Sequence, residues 1–262
     1  MISQKEEEQV DQVILAVAGK GGVGKTSIAA MAVAQLVRDH PEAKILAIDA
    51  DPAVGLETAL GITHRCTVDD IRKQIVAAGQ ADPEKKQAIA LLGESRYRIL
   101  DAMVEEDRFA FLAIGRPEAA GCYCSVNACL RAVISACSAG FDYVVIDGEA
   151  GVEQINRRVM EKVTHLLLVT DPSRKGTQVV KTVKQVADEL TMYETCGAVV
   201  NRMNDEQLLG LIDLGDIPLL TCIPDDQALA LSDVKGGSVL ELPEDGILAS
   251  GVRRALYAMG IN

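Results

Sequence analysis

The sequence lacks an apolar run long enough to cross a bilayer, because no uncharged stretch approaches the ~18 residues such a helix requires. It also lacks the basic, then greasy opening of a secretory signal: Met1 to Gln12 is acidic and polar, so a cytoplasmic protein is expected. Cations are scarce. Lys and Arg number 26 against 38 Asp and Glu, and the formal net charge of −12 disfavours nucleic acid and anionic membranes as partners, since both repel an acidic surface. No internal repeat, low-complexity tract or Gly/Ser linker marks a second domain, so one domain is expected over 1–262, with a polar extension at 1–12. Seven cysteines in 262 residues are too few and too odd a number for a disulfide scaffold, which leaves free thiols, core fillers or metal ligands. Apolar residues, by contrast, make up 48% of the chain, enough to bury a substantial core.

Val, Ile and Leu concentrate in short runs that are apolar on both sides, at Val13–Ala18, Lys44–Ile48, Phe109–Ile114, Tyr143–Ile146, His165–Val169, Gly197–Val200 and Leu219–Ile223. Such runs predict strands buried on both faces. Amphipathic stretches lie between several of them, at Thr26–Arg38, Val126–Ser138 and Lys175–Leu190. Strand, helix, strand implies an α/β fold: a doubly wound, mostly parallel sheet flanked by helices. The stretch from Gly79 to Glu118 reads as an insertion with a hairpin, Tyr97–Met103 and Phe109–Ile114 being separated by the charged turn Glu105-Glu106-Asp107. The end of the chain, Gly246 to Asn262, carries only Arg253 and Arg254 as cations, too few for a membrane anchor, and reads as a helix packed on the sheet.

The first strand runs directly into Gly19-Lys20-Gly21-Gly22-Val23-Gly24-Lys25-Thr26, and a helix pattern begins there, which is the strand-loop-helix context a phosphate loop requires. Backbone N–H groups of Gly19, Gly21, Gly22, Val23 and Gly24 can converge on phosphate oxygens, with Ser27 in the adjoining helix turn. Lys25 supplies a point charge to the β and γ phosphates, and Thr26 can ligate Mg²⁺. An aspartate follows each of two buried strands. Asp147, after Val144-Val145-Ile146, falls at the C-terminal rim of the sheet, where ligands of open α/β sheets bind. Asp51, in Ile48-Asp49-Ala50-Asp51-Pro52, has helix capping as a competing role.

Lys20, directly after the first glycine, is not needed by an ordinary phosphate loop. With it, the motif resembles the deviant Walker A of the superfamily containing the nitrogenase iron protein, the arsenite-pump ATPase, the MinD and ParA positioning ATPases and the CooC-type accessory ATPases. The resemblance implies a P-loop NTPase fold and slow, Mg²⁺-dependent hydrolysis of ATP to ADP in a nucleotide-sandwiched homodimer. Lys20 would reach the partner's phosphates, Asp51 would position or activate the attacking water, and Asp49 would support the Mg²⁺ shell. Asp147 would contact Mg²⁺ through water, as the Walker B aspartate ahead of a switch II at Gly148 to Gly151. It further implies that Asn201 and Arg202, with Pro224 and Asp225 in the later loop, border adenine.

Cys122-Tyr123-Cys124 stands before the helical stretch Val126–Ser138, where a helix N-terminus favours the thiolate that binds metal. Two cysteines cannot complete a tetrahedral site, but two copies brought together by a dimer axis can. Soft ligands admit Ni²⁺, Zn²⁺, Cu⁺ or a [4Fe-4S] cluster. A Cys-x-Cys at this point most resembles the CooC type. That resemblance implies nickel as cargo and a client metalloenzyme such as carbon monoxide dehydrogenase or acetyl-CoA synthase, with no membrane or nucleic-acid partner. Cys129 lies one turn into the helix, near enough to approach the site. Cys137 is assigned to the core, and Cys66, Cys196 and Cys222 to packing. The alternatives are a reductase holding a bridging iron–sulfur cluster and a MinD- or ParA-like positioning ATPase.

Overall fold

The computed structural model describes residues 12–81, 88–115, 124–149, 151–190 and 192–262. Its strands are β1 (Val13–Gly19), β2 (Ile45–Asp49), β3 (Val104–Glu105), β4 (Ala110–Ala113), β5 (Tyr143–Asp147), β6 (His165–Thr170), β7 (Thr195–Asn201) and β8 (Leu219–Ile223). They form one sheet in the order β3-β4-β2-β5-β1-β6-β7-β8, parallel except where β3 returns against β4. The expected doubly wound α/β architecture is therefore present, with β1 at the interior of the sheet.

Successive side chains of a strand point to opposite faces, and here both faces are covered. Leu15 and Val17 of β1 pack with helices α1 (Lys25–Asp39), α2 (Gly55–Leu60) and α9 (Ile247–Ala258). Ala16 and Ala18 face the opposite layer, made by α3 (Val68–Ala81), α4 (Ala88–Ala102), α5 (Cys124–Ser138), α6 (Glu153–Arg158) and α7 (Arg174–Glu189). Helix α8 (Gln227–Lys235) buries no residue and is fastened by its cap. Helix α9 buries Leu248, Ala249, Val252, Ala255 and Leu256, so its apolar stripe is spent on the sheet, as its sparse basic charge suggested. Among the described residues no helix is long and apolar enough to cross a membrane.

The hairpin differs from expectation. Only Val104–Glu105 pairs with Ala110–Phe111, while residues 97–102 continue α4. Ser95, Ile99 and Ala102 are buried at spacings of four and three, the helical period that places one face of α4 on the core. The charged turn sits where it was expected, with the Glu106 N–H donating to the Phe109 carbonyl at 2.9 Å.

Candidate functional site

The phosphate loop leaves β1 at Gly19, whose φ of +136° only glycine adopts readily. A Cβ there would lie 2.1 Å from the Val169 carbonyl oxygen, so the loop crosses the end of β6 in direct backbone contact. The Lys20 N–H donates to that same carbonyl at 3.2 Å. Gly24, also left-handed at φ +91°, precedes α1 directly. No side chain caps α1 and no acid stands in its first turn, so the positive end of its dipole is open to an anion. Lys25 is buried, and its Nζ donates to the Lys20 carbonyl at 3.3 Å across the loop.

Two carboxylates face this loop from neighbouring strands. Asp49 ends β2 and Asp147 ends β5, and the two are register partners. Both are fully buried. Asp49 is ordered by backbone donors, Asp51 N–H at 3.0 Å and Leu56 N–H at 2.8 Å, so it fixes the chain entering α2. Burial and the neighbouring Asp147 nevertheless push its carboxyl up to about 7. Among the described residues, Asp147 finds no well-formed hydrogen bond for either carboxylate oxygen. Burial pushes it up to about 6, with the Thr26 hydroxyl and the Lys25 ammonium pulling the other way. A buried carboxylate without a partner requires one, and a hard cation or its water shell beside Thr26 supplies it, so these residues fit Mg²⁺. Asp51 is half-buried, and its Oδ1 accepts the Ala53 N–H at 2.8 Å, a local turn bond rather than a cap on α2. The next turn is strained: Val54, β-branched, holds φ +49° as the N-cap of α2.

Lys20 points to a partner that sequence reasoning missed. Its ammonium is paired with Asp171, just beyond β6, and the pair is partly exposed. Asp171 also accepts from the Ser173 N–H and hydroxyl. Burial raises the Asp171 carboxyl, but Lys20 and Ser173 outweigh it and hold it below the usual range. The available signal was positional, since Asp171 follows a buried strand just as Asp147 does.

On the other flank, Asn201 ends β7 and its Nδ2 donates to the Val23 carbonyl at 2.7 Å. That bond commits the amide nitrogen to the phosphate loop and leaves Oδ1 as the group to meet a base. Arg202 follows with φ +60°, the second non-glycine residue in the left-handed region. Asn204 and Asp225 lock the two rim loops by a reciprocal pair, Nδ2 to Oδ2 at 2.6 Å and Asp225 N–H to Oδ1 at 2.9 Å. Asp226 receives the first N–H groups of α8 on one oxygen and the Leu248 N–H of α9 on the other. The sheet's C-terminal rim thus gathers Gly19, Asp49, Asp147, Asn201 and the 224–226 loop around one helix N-terminus.

Residues 14–239 match the CobQ/CobB/MinD/ParA nucleotide-binding domain. The chain belongs to that nucleotide-binding family. An uncharacterized ATP-binding protein of Methanocaldococcus jannaschii is 36% identical over 89% of this chain and 92% of its own. The carbon monoxide dehydrogenase accessory protein CooC of Rhodospirillum rubrum is 28% identical over 87% and 89%. Among solved structures, the septum site-determining protein MinD of Pyrococcus horikoshii, complexed with Mg-ADP, superposes with a TM-score of 0.67 over 93% of each chain, at 21% identity. This likeness shows the family's fold.

The cysteine pair singled out above falls mostly outside the described residues: Cys122 is among them not at all, and Cys124 is placed as the first residue of α5. Cys129, in the second turn, is half-buried, and burial pushes its thiol up. Cys137 is in the core, and Cys66, Cys196 and Cys222 pack against it partly buried, as expected. Burial pushes Cys196 up to about 12, an inert thiol. The histidines each have structural partners: His40 stacks on Tyr143, His64 pairs with Glu57, and His165 bonds the Met259 carbonyl.

Proposed function

We propose that this chain hydrolyses ATP with Mg²⁺ and uses the cycle to bind and deliver a transition metal, nickel first among the candidates, to a client metalloenzyme. The observation that carries the ATPase reading is the orphaned, buried Asp147 beside Thr26 and Lys25 at the foot of an open helix N-terminus. Thr26, Asp147 and Asp49 would hold Mg²⁺, which when bound neutralises charge on the β and γ phosphates. Lys25 binds the phosphate chain as a point charge. Asp51, half-buried at the mouth of the rim, positions water, and Asn201 with Arg202, Pro224 and Asp225 borders the base. Phosphoryl transfer needs little beyond such positioning and neutralisation.

Lys20 carries the sandwich part of the proposal, as the second lysine of a deviant Walker A. Asp171 holds it within its own subunit, and a second copy of the chain exchanges that pairing for phosphate. The metal part rests on the similarity to CooC and on Cys124 opening α5, where a helix N-terminus favours a thiolate. Cys122 and Cys124 from two copies would make one tetrahedral set. The metal is cargo, taken up in the closed dimer and released on opening. Helix α9 spends its apolar face on the sheet and so does not itself supply the membrane anchor that a MinD-like positioning role would need.

Hydrolysis measured against protein concentration tests the proposal. Specific activity rises with concentration if a dimer completes the site, and Lys20→Ala abolishes that rise while leaving nucleotide binding to the monomer intact. Undiminished turnover in Lys20→Ala overturns the sandwich mechanism.

A further inference from the structure

Among the described residues, helix α5 does not rest on solid protein along its whole length. A groove of about 570 Å³ separates the side of α5 bearing Ala128, Arg131, Ala132 and Ser135 from Gln12 and Ile14 at the start of β1 and from residues 160–162. Arg131 reaches toward the far wall. Its Nη1 donates to the Asn156 carbonyl at 2.8 Å, and its Nη2 meets Glu161 at 2.5 Å. Asn156 is itself held there, Nδ2 donating to the Glu161 carbonyl at 3.0 Å.

Asn156 belongs to α6, the helix that leaves the Asp147 loop. Loop and helix lie close together: a Cβ on Gly148 would fall 2.6 Å from Ile155 Cδ1 and 2.8 Å from the Val17 carbonyl, so Gly148 sits directly between α6 and the backbone of β1. The Gly148 N–H donates to that carbonyl at 2.9 Å. A displacement of Gly148 toward α6 presses on Ile155, with the β1 backbone closing the other side, and close-packed contacts transmit strain. From Ile155 it passes to the adjacent Asn156 carbonyl, and through the guanidinium fork to α5, which among the described residues has open space on that side in which to shift.

We propose that Arg131 is a positioning residue that couples the nucleotide site to α5, so that the state of the phosphates at Asp147 sets the position of the helix opened by Cys124. Arginine suits this role because its planar fork holds two acceptors at once, which a lysine ammonium does not reproduce. The consequence for metal handling rests on the proposed function; the mechanical link does not.

Hydrogen exchange of the α5 amides, read in the full-length protein with ADP and with a nonhydrolysable ATP analogue, tests the link without metal. The wild type is expected to differ between the two nucleotides by about fivefold or more, the lower end of ordinary coupling factors. Arg131→Met, which keeps the aliphatic stem, is expected to lose most of that difference while binding both nucleotides as the wild type does. Arg131→Lys, which keeps the pairing with Glu161, is expected to fall between them and guards against a folding defect in the first variant. A full wild-type difference in Arg131→Met, or none in the wild type itself, overturns the proposal. Zn²⁺ titration in parallel separates the two readings: exchange coupling without Zn²⁺ binding defeats metal delivery and leaves the link standing, whereas Zn²⁺ binding without exchange coupling does the reverse.

Discussion

At the residue scale, the site stores unfavourable electrostatics that its ligand relieves. Asp49 and Asp147 are raised to about 7 and about 6 because burial, and in Asp49 the facing carboxylate, disfavour the charged form. A carboxyl whose folded pKa exceeds its unfolded value binds more protons in the native state. The nucleotide-free protein therefore loses stability as pH rises from about 4 to about 7. Thermal melts without Mg²⁺ should show that decline, and Asp147→Asn should flatten it and raise the melting temperature at pH 8. Mg-nucleotide affinity runs the opposite way, strengthening through pH 6 to 7 as the carboxylates ionise, and a pH-independent affinity would contradict the assignment. Lys25→Ala should weaken nucleotide binding about 10- to 100-fold, the worth of one charge-assisted hydrogen bond. Asp171→Asn leaves Lys20 without its anion, and dimerisation with an ATP analogue should then strengthen in sedimentation, because no ion pair must be broken first. These residues were unequally legible. The loop and Asp147 follow from buried strands ending in a motif and Asp49 from the family resemblance, whereas the Asp171 pairing is a tertiary contact between positions 151 apart that no local pattern encodes.

At the element scale, the strands were the most readable feature, since a strand covered on both faces must be apolar throughout. Their observed ends differ from the sequence reading by only a few residues; β2, for instance, extends to Asp49 and β4 shortens to Ala110–Ala113. The end of α4 is not legible because seven residues, Tyr97 to Met103, are too few to separate a period of 2 from 3.6. The deciding residue lies upstream, where Ser95 completes the buried stripe with Ile99 and Ala102. Glycines in the phosphate loop divide by physical cause in a way that sequence could not reveal. Gly19 is required by the fold, having both a positive φ and the Val169 carbonyl in the path of any side chain. Gly19→Ala should cost about 3 kcal/mol or more, by strain at a special backbone position. Gly21 has neither constraint, with nothing within 4 Å of the point where a Cβ would stand. Gly21→Ala should change stability by less than about 0.5 kcal/mol, so that any loss of nucleotide affinity in that variant reports approach of the phosphates rather than folding. Paired denaturation and nucleotide titrations distinguish the two.

At the scale of the whole molecule, the question is whether an acidic chain, net −12, assembles with itself. Like charges oppose association, and the two proposed bridging groups, phosphates met by Lys20 and a cation met by thiolates, would offset that repulsion. These two bridges make separable predictions. If Cys122 and Cys124 of two copies form one site, tight binding of Zn²⁺ saturates at about one metal per dimer, following the four-ligand tetrahedral preference of thiolate sites. Cys122→Ser and Cys124→Ser should each abolish that binding and any metal-driven dimer while the monomer still binds ATP. Cys137→Ser, in the core, should instead cost about 1–3 kcal/mol of stability through an unsatisfied hydroxyl and leave the stoichiometry alone. Light scattering during titration, with and without a nonhydrolysable ATP analogue, reads metal count and mass together. Nucleotide should tighten the metal site if closure assembles it, because whatever raises the population of the closed dimer raises its apparent affinity for the cation. One metal per monomer, or retention of metal in both the Cys122 and the Cys124 variants, would remove the bridging site and leave a nucleotide switch whose cargo lies elsewhere.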